Sequence, residues 1–184
     1  YGGSLGEDSF ANVMYVGTAA GLLYFRGPDE TDLPTQVAAY PGIGPRDIAI
    51  DPDDYRVAYV TDADGQVYWT SDSGANWDRA TGNLNNLTAD LRTIELYTPT
   101  GRAGDDILLV GGIGGVYRTM NPQVGMATCW TELGRGLPNV IAADLRYDYS
   151  NDVLAVATIG RGVWAIHNAS DSLTTPPDLI LTGL

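Results

Sequence analysis

Lysine is absent from this 184-residue chain, and cysteine and histidine occur once each, as Cys129 and His167. Without lysine there is no Schiff-base chemistry. With one thiol and one imidazole there is no disulfide framework and no zinc site built from His and Cys alone. No apolar run approaches the roughly 18 residues that read as a membrane-spanning helix. Positive charge is scarce: ten Arg face 19 Asp and 4 Glu, a formal net charge of −13. That surface excludes nucleic-acid binding and adhesion to anionic lipid, both of which need basic side chains to neutralise phosphates. Long helices are missing too, since no stretch keeps a capped 3.6-residue apolar period.

What the chain has instead is self-similarity. Four segments follow one formula: GLLYF from Gly21, GQVYW from Gly65, GGVYR from Gly114 and RGVWA from Arg161, their starts 44, 49 and 47 residues apart. Each is preceded by a second apolar run, from Asn12, Arg56, Asp106 and Asp152, at intervals of 44, 50 and 46. A third element precedes three of these pairs (DIAIDPDD, TIELYTPT, DLRYDYSN), and a fourth follows three (TQVAAYPG, NWDRATGN, CWTELGRG). Short runs rich in β-branched and aromatic residues between Gly, Asp, Asn and Pro turns read as strands. Runs such as Val57-Ala58-Tyr59-Val60 are apolar at consecutive positions, which places them in sheets covered on both faces. A four-stranded unit of this length, covered by its neighbours, is a β-propeller blade. The predicted fold is therefore all-β, with about four blades of strands A to D, near residues 10–42, 43–85, 90–137 and 140–168. The first blade lacks strand A and the last lacks strand D. Residues 169–184 read as a Pro-containing tail, either a closing strand or a linker.

Between strands C and D of the second repeat, Thr70, Asp72, Gly74 and Trp77 stand in the order Thr-x-Asp-x-Gly-x-x-Trp. This resembles the Asp-box, or BNR, repeat of sialidases, sortilin-type receptors, xyloglucan hydrolases and photosystem II assembly factors. The resemblance covers residues 10–168 and implies a propeller whose Asp boxes lie on the rim, away from ligands. The residue types suit a turn. Asp72 accepts backbone N–H groups, Gly74 supplies a positive φ, Trp77 buries a ring beneath the hairpin, and Thr70 adds a hydroxyl. The box is read as structural.

Ligands of propellers usually meet the face built from D-to-A and B-to-C loops, which here carries Arg46, Arg135, Asn139 and Arg161. Arginines there suit a carboxylate or sulfate, although exposed turn charges are mostly solvated. Asp62 and Asp64, in Asp-Ala-Asp-Gly, resemble the start of a calcium loop but lack its remaining ligands. No other cofactor is expected, and no catalytic constellation is assembled.

The expected role is thus a non-catalytic module, extracellular or at the cell surface, that displays loops to a protein or glycan. The alternative is part of a secreted glycoside hydrolase, sialidase-like or xyloglucan-hydrolase-like. A cleft with two close carboxylates or an Arg cluster favours the second, and a flat face favours the first. Four blades are few for this class. The chain therefore reads as part of a larger propeller completed by further blades or another chain, with a closed four-bladed ring as the alternative.

Overall fold

A computed structural model describes residues 4–99, 106–120, 122–133 and 139–175. After a small hairpin of β1 (Ser4–Leu5) and β2 (Asp8–Ser9), four antiparallel sheets follow one another in sequence. The first contains β3 (Met14–Gly17), β4 (Leu23–Arg26) and β5 (Thr35–Gln36). The second contains β6 (Pro45–Ile50), β7 (Ala58–Asp62), β8 (Val67–Thr70) and β9 (Asp78–Arg79). The third contains β10 (Leu91–Tyr97), β11 (Ile107–Gly112), β12 (Gly115–Thr119) and β13 (Thr131–Leu133). The fourth contains β14 (Ile141–Asp148), β15 (Val153–Ile159) and β16 (Gly162–His167). Every strand pairs with its sequence neighbour, as in propeller blades. The first sheet has no inner strand and the fourth no outer one among the described residues.

The cores lie between the blades. Tyr15 and Leu23 of the first blade pack with Ala58 and Val60 of the second. Tyr59 and Val67 of the second pack with Ile94 and Val110 of the third. Leu109 and Val116 of the third pack with Leu145 and Val156 of the fourth. Strands β7 and β11 bury every residue, because one face meets the preceding blade and the other the following one. Consecutive apolar residues are what that double burial requires.

The inner strands β6, β10 and β14 share an irregularity. Each has a register shift near its start, between Pro45 and Asp47, Leu91 and Thr93, and Ala142 and Asp144. A bulge at the same place in three blades re-aims the side chain that follows it. The Asp47 carboxylate reaches the next blade, accepting from the Thr93 hydroxyl at 2.8 Å and the Ile94 amide at 2.9 Å. The Thr93 hydroxyl accepts in turn from the Leu145 amide at 3.2 Å.

Two elements have no counterpart in the repeat pattern. The β1–β2 hairpin lies against the β6–β7 turn, with Gly6 N–H donating to Asp53 O at 3.1 Å and Tyr55 N–H to Ser4 O at 2.7 Å. The start of the 169–184 segment is a short helix, α1 (Ala169–Thr174), whose Ala169 and Leu173 are fully buried against the third and fourth blades. Ser170 Oγ ties it to Asp152 at 2.6 Å, and the buried Arg118 guanidinium donates to the Ser172, Leu173 and Thr175 carbonyls at its far end. Those carbonyls are the ones a helix end leaves unpaired. Residues 176–184 lie outside the described residues.

Candidate functional site: an axial groove

The inner strands leave an open groove of about 500 Å3, lined by Asp47 to Pro52, Ile94 to Leu96 and Arg146, with Ser4 and Ser9 of the hairpin at its edge. Glu95 is the chemically distinctive group in it. Alternation along β10 turns Ile94 and Leu96 into the core between the second and third blades and leaves Glu95 on the other face. Its side chain is 19% exposed, and its carboxyl stands 3.7 Å from Arg146 Nη1. Arg146 Nη2 lies 3.2 Å from Asp144 Oδ1, so two carboxyls sit on either side of one guanidinium. Burial pushes the Glu95 carboxyl from its ordinary 4.5 up to about 7, with Arg146 and the Tyr147 backbone pulling the other way and Asp47 and Asp144 adding to the rise. Loss of hydration penalises the charged form more than the half-solvated Arg146 compensates. Glu95 therefore exchanges its proton near neutrality, well above the usual carboxylate range.

A second charged cluster lies at the beginnings of β6 and β10. Arg46 Nη1 donates to Asp90 Oδ1 at 2.7 Å and to Leu91 O at 3.1 Å, while Arg92 Nε donates to Asp90 Oδ2 at 2.6 Å. Arg46 and Arg92 are the residues skipped by the two bulges, which brings them to one carboxylate. Of the three described loop-face residues singled out in the sequence, Arg46 takes part. Asn139 is exposed, and Arg161 is exposed with its carbonyl accepting from Trp164 Nε1 at 3.2 Å. Arg135 lies outside the described residues. Arg46, Asn139 and Arg161 do not line the groove, which runs along the inner strands toward the β6–β7 turn.

Asp62 has no open oxygen. Oδ1 accepts from the Ile43 and Asp64 amides and Oδ2 from the Gly44 amide and the Tyr40 hydroxyl, at 2.7 to 3.1 Å. Burial opposes ionisation there, but the Tyr40 hydroxyl and the three amides outweigh it and hold the carboxyl below its usual range. Asp64 accepts from Gln66 N–H at 3.0 Å and Tyr68 Oη at 2.8 Å. Both side chains anchor turns, and the described residues contain no group of three or more His, Cys, Asp or Glu able to hold a metal.

The 70–77 turn is closed by its own side chains. Thr70 Oγ1 donates to Asp72 Oδ1 at 2.8 Å and accepts from Gly74 N–H at 3.0 Å. Asp72 accepts from the Asn76 amide and side chain at 2.8 and 2.6 Å, and Trp77 Nε1 donates to Gly74 O at 3.0 Å. Gly74 has φ +88, and a Cβ there meets Val37 at 2.9 Å, so both conformation and space ask for glycine. The turn stands at the β8–β9 hairpin, away from the groove.

Glu95, Arg146 and Asp144 carry no signal in the sequence, because Glu95 and Arg146 meet only when neighbouring inner strands are laid side by side. Arg92 has a weak one: like Arg46, it opens its inner strand just before the Asp or Thr that reaches the next blade.

In its propeller architecture the chain is similar to solved glycoside hydrolases. It superimposes on a GH74 enzyme from Niastella koreensis with a TM-score of 0.61 at 15% identity, over 91% of this chain. The GH74 xyloglucanase from Xanthomonas campestris matches with a TM-score of 0.58 at 15% identity, over 88%. The chain spans 28% of the length of each. No family model and no curated protein sequence matches it. At this identity the likeness establishes the fold.

Proposed function

We propose that the chain forms part of a secreted glycan-acting propeller of the glycoside hydrolase class, with the axial groove as its glycan-facing surface. The observation that carries this reading is Glu95, a carboxyl raised to about 7, in an open groove across Arg146 from the second carboxyl of Asp144. Glycosidic bonds are commonly cleaved between two carboxyl groups, one protonated to donate to the leaving oxygen and one to act as base or nucleophile. In this assignment Glu95 is the proton donor, Asp144 is its counterpart and Arg146 keeps the two apart. The resemblance to GH74 structures supports a neutral β-glucan of the xyloglucan type over a charged sugar, and the 70–77 turn supports Asp-box ancestry of the blades.

The test is xyloglucan oligosaccharide binding, followed by calorimetry, together with release of reducing ends. Glu95→Gln should preserve binding and abolish cleavage, and cleavage by the wild type should fall as pH rises through about 7. Absence of both binding and cleavage sinks the proposal. A second reading, a non-catalytic interaction module, is favoured by one observation: Glu95 and Arg146 also join adjacent inner strands, as Asp47 does. Binding without cleavage in the wild type selects it.

A further inference from the structure

The two ends of the blades differ in chemistry. Antiparallel pairing puts the β6–β7, β8–β9 and β14–β15 turns at one end. The β7–β8 and β11–β12 turns, with the segments leading into β6 and β10, lie at the other. The first end is acidic, carrying Asp53, Asp54, Asp72, Asp148 and Asp152. The second presents aliphatic side chains: Ile43 is 69% exposed, Ile113 46% and Leu87 39%, with Ala63 and Ala89 exposed between them. These loops are joined. Ala63 N–H donates to Gly44 O at 2.9 Å and Ile113 N–H to Asp90 O at 3.1 Å. The Tyr117 hydroxyl lies 3.2 Å from both the Leu87 and the Ile113 carbonyls. The second and third blades have a neighbour on each side, so this exposure belongs to the loops and not to an uncovered sheet.

Arg46 and Arg92 stand beside this surface, their side chains 34% and 40% exposed and each held by one oxygen of Asp90. Arg46 spends Nη1 on Asp90 and Leu91, and Arg92 spends Nε, so each guanidinium keeps further N–H groups for another acceptor. Asp62 and Asp64 lie at this end too, committed to the turn bonds already described.

We infer that this end of the second and third blades is a protein-docking surface whose occupant is a polypeptide segment carrying carboxylates beside apolar side chains. The aliphatic residues supply the apolar centre of such an interface. The two guanidinium forks, oriented by Asp90, meet carboxylates in bidentate fashion. The net charge of −13 does not forbid an acidic partner, because its acidic residues cluster at the far end. Strand β6 has six residues and is about 20 Å long, well beyond a Debye length of about 8 Å at physiological salt. The exposed residues are aliphatic, so a sugar ring finds no aromatic face to stack on, and the overall charge opposes an anionic bilayer.

The test is selection from a random peptide library displayed on phage, against the immobilised 184-residue chain at physiological salt. Enriched peptides should combine Asp or Glu with Leu, Ile or Phe. The affinity of synthetic copies, read by fluorescence polarisation, should fall at least about tenfold in Ile113→Asp and in Ile43→Asp, and about threefold or more in Arg92→Ala. Leu33→Asp, exposed between β4 and β5 at the acidic end of the first blade, should leave it unchanged. All four positions are exposed, and thermal melting of each variant checks that the fold is kept. Enrichment of no peptide, of basic peptides, or of peptides whose binding survives both isoleucine changes overturns the inference. Cosedimentation with phosphatidylserine vesicles that Ile113→Asp abolishes also overturns it, and assigns the surface to a membrane.

Discussion

Val67 and Val163 are the same residue at the same place in two blades, yet one is sealed and the other stands in solvent. The difference lies in what packs against each: the third blade seals Val67, and no described residue seals Val163. A propeller blade is covered on both faces, so its strands are apolar throughout whether or not a neighbour is present. Burial in this fold is a property of the interface between repeats, and a single repeat holds half of each.

That comparison can be broken in several ways. The largest effect is expected from an aspartate in a filled interface. Val116→Asp places an unpaired charge between the third and fourth blades and should cost more than about 4 kcal/mol, enough to abolish cooperative unfolding in urea. The same change at Val163 should stay within about 0.5 kcal/mol, since that site is already wet. Equal losses at both sites would contradict the stacked arrangement.

The polar half of the interface repeats the contrast on a smaller scale. Asp47→Ala strands the Ile94 amide and the Thr93 hydroxyl and should cost about 1–3 kcal/mol. Asp144, in the same register but half exposed, reaches no further blade among the described residues. Asp144→Ala should leave urea stability nearly unchanged.

Glu95 adds a pH dependence. Its folded value lies above its ordinary one, so the folded chain retains a proton that the unfolded chain releases above about 4.5. The stability tied to that proton is full below 4.5 and is lost as pH rises through about 7. Glu95→Gln keeps the neutral form at every pH. It should match the wild type near pH 4, exceed it at pH 8 by about 2–3 kcal/mol, and flatten the thermal-melting profile between. The smallest effect belongs to Arg92→Ala, which removes one side of an exposed ion pair and should change stability by less than about 0.5 kcal/mol.

The inner three strands of the second, third and fourth repeats were legible because their cues are local. Val57 to Val60 announce double burial by consecutive apolar residues, and Gly65 and Gly114 mark the turns that follow. The outer strands were harder, since two to three residues of pairing, as in Asp78–Arg79, leave no period to read. The β1–β2 hairpin and α1 were missed for a related reason: two-residue strands and a six-residue helix are held by the blades they rest on and not by their own pattern. The groove was least legible. Glu95 is one of 23 acidic residues, and its raised protonation and its contact with Arg146 come from strands of neighbouring blades. Arg46 was picked out by its loop, but its partner Asp90 lies a whole repeat away.

The most direct test of the central claim, that burial comes from three filled interfaces between blades, is thiol accessibility at equivalent positions. With Cys129→Ser as background, single cysteines replace Val67, Val116 and Val163, and their reaction with a thiol reagent is timed in dilute solution. The account predicts a fast reaction at 163 and reactions at least about a hundredfold slower at 67 and 116, limited by opening of the blades. A residue 163 as protected as 67 at every dilution would mean that one chain covers its own ends, and a residue 67 as reactive as 163 would mean that the blades do not stack.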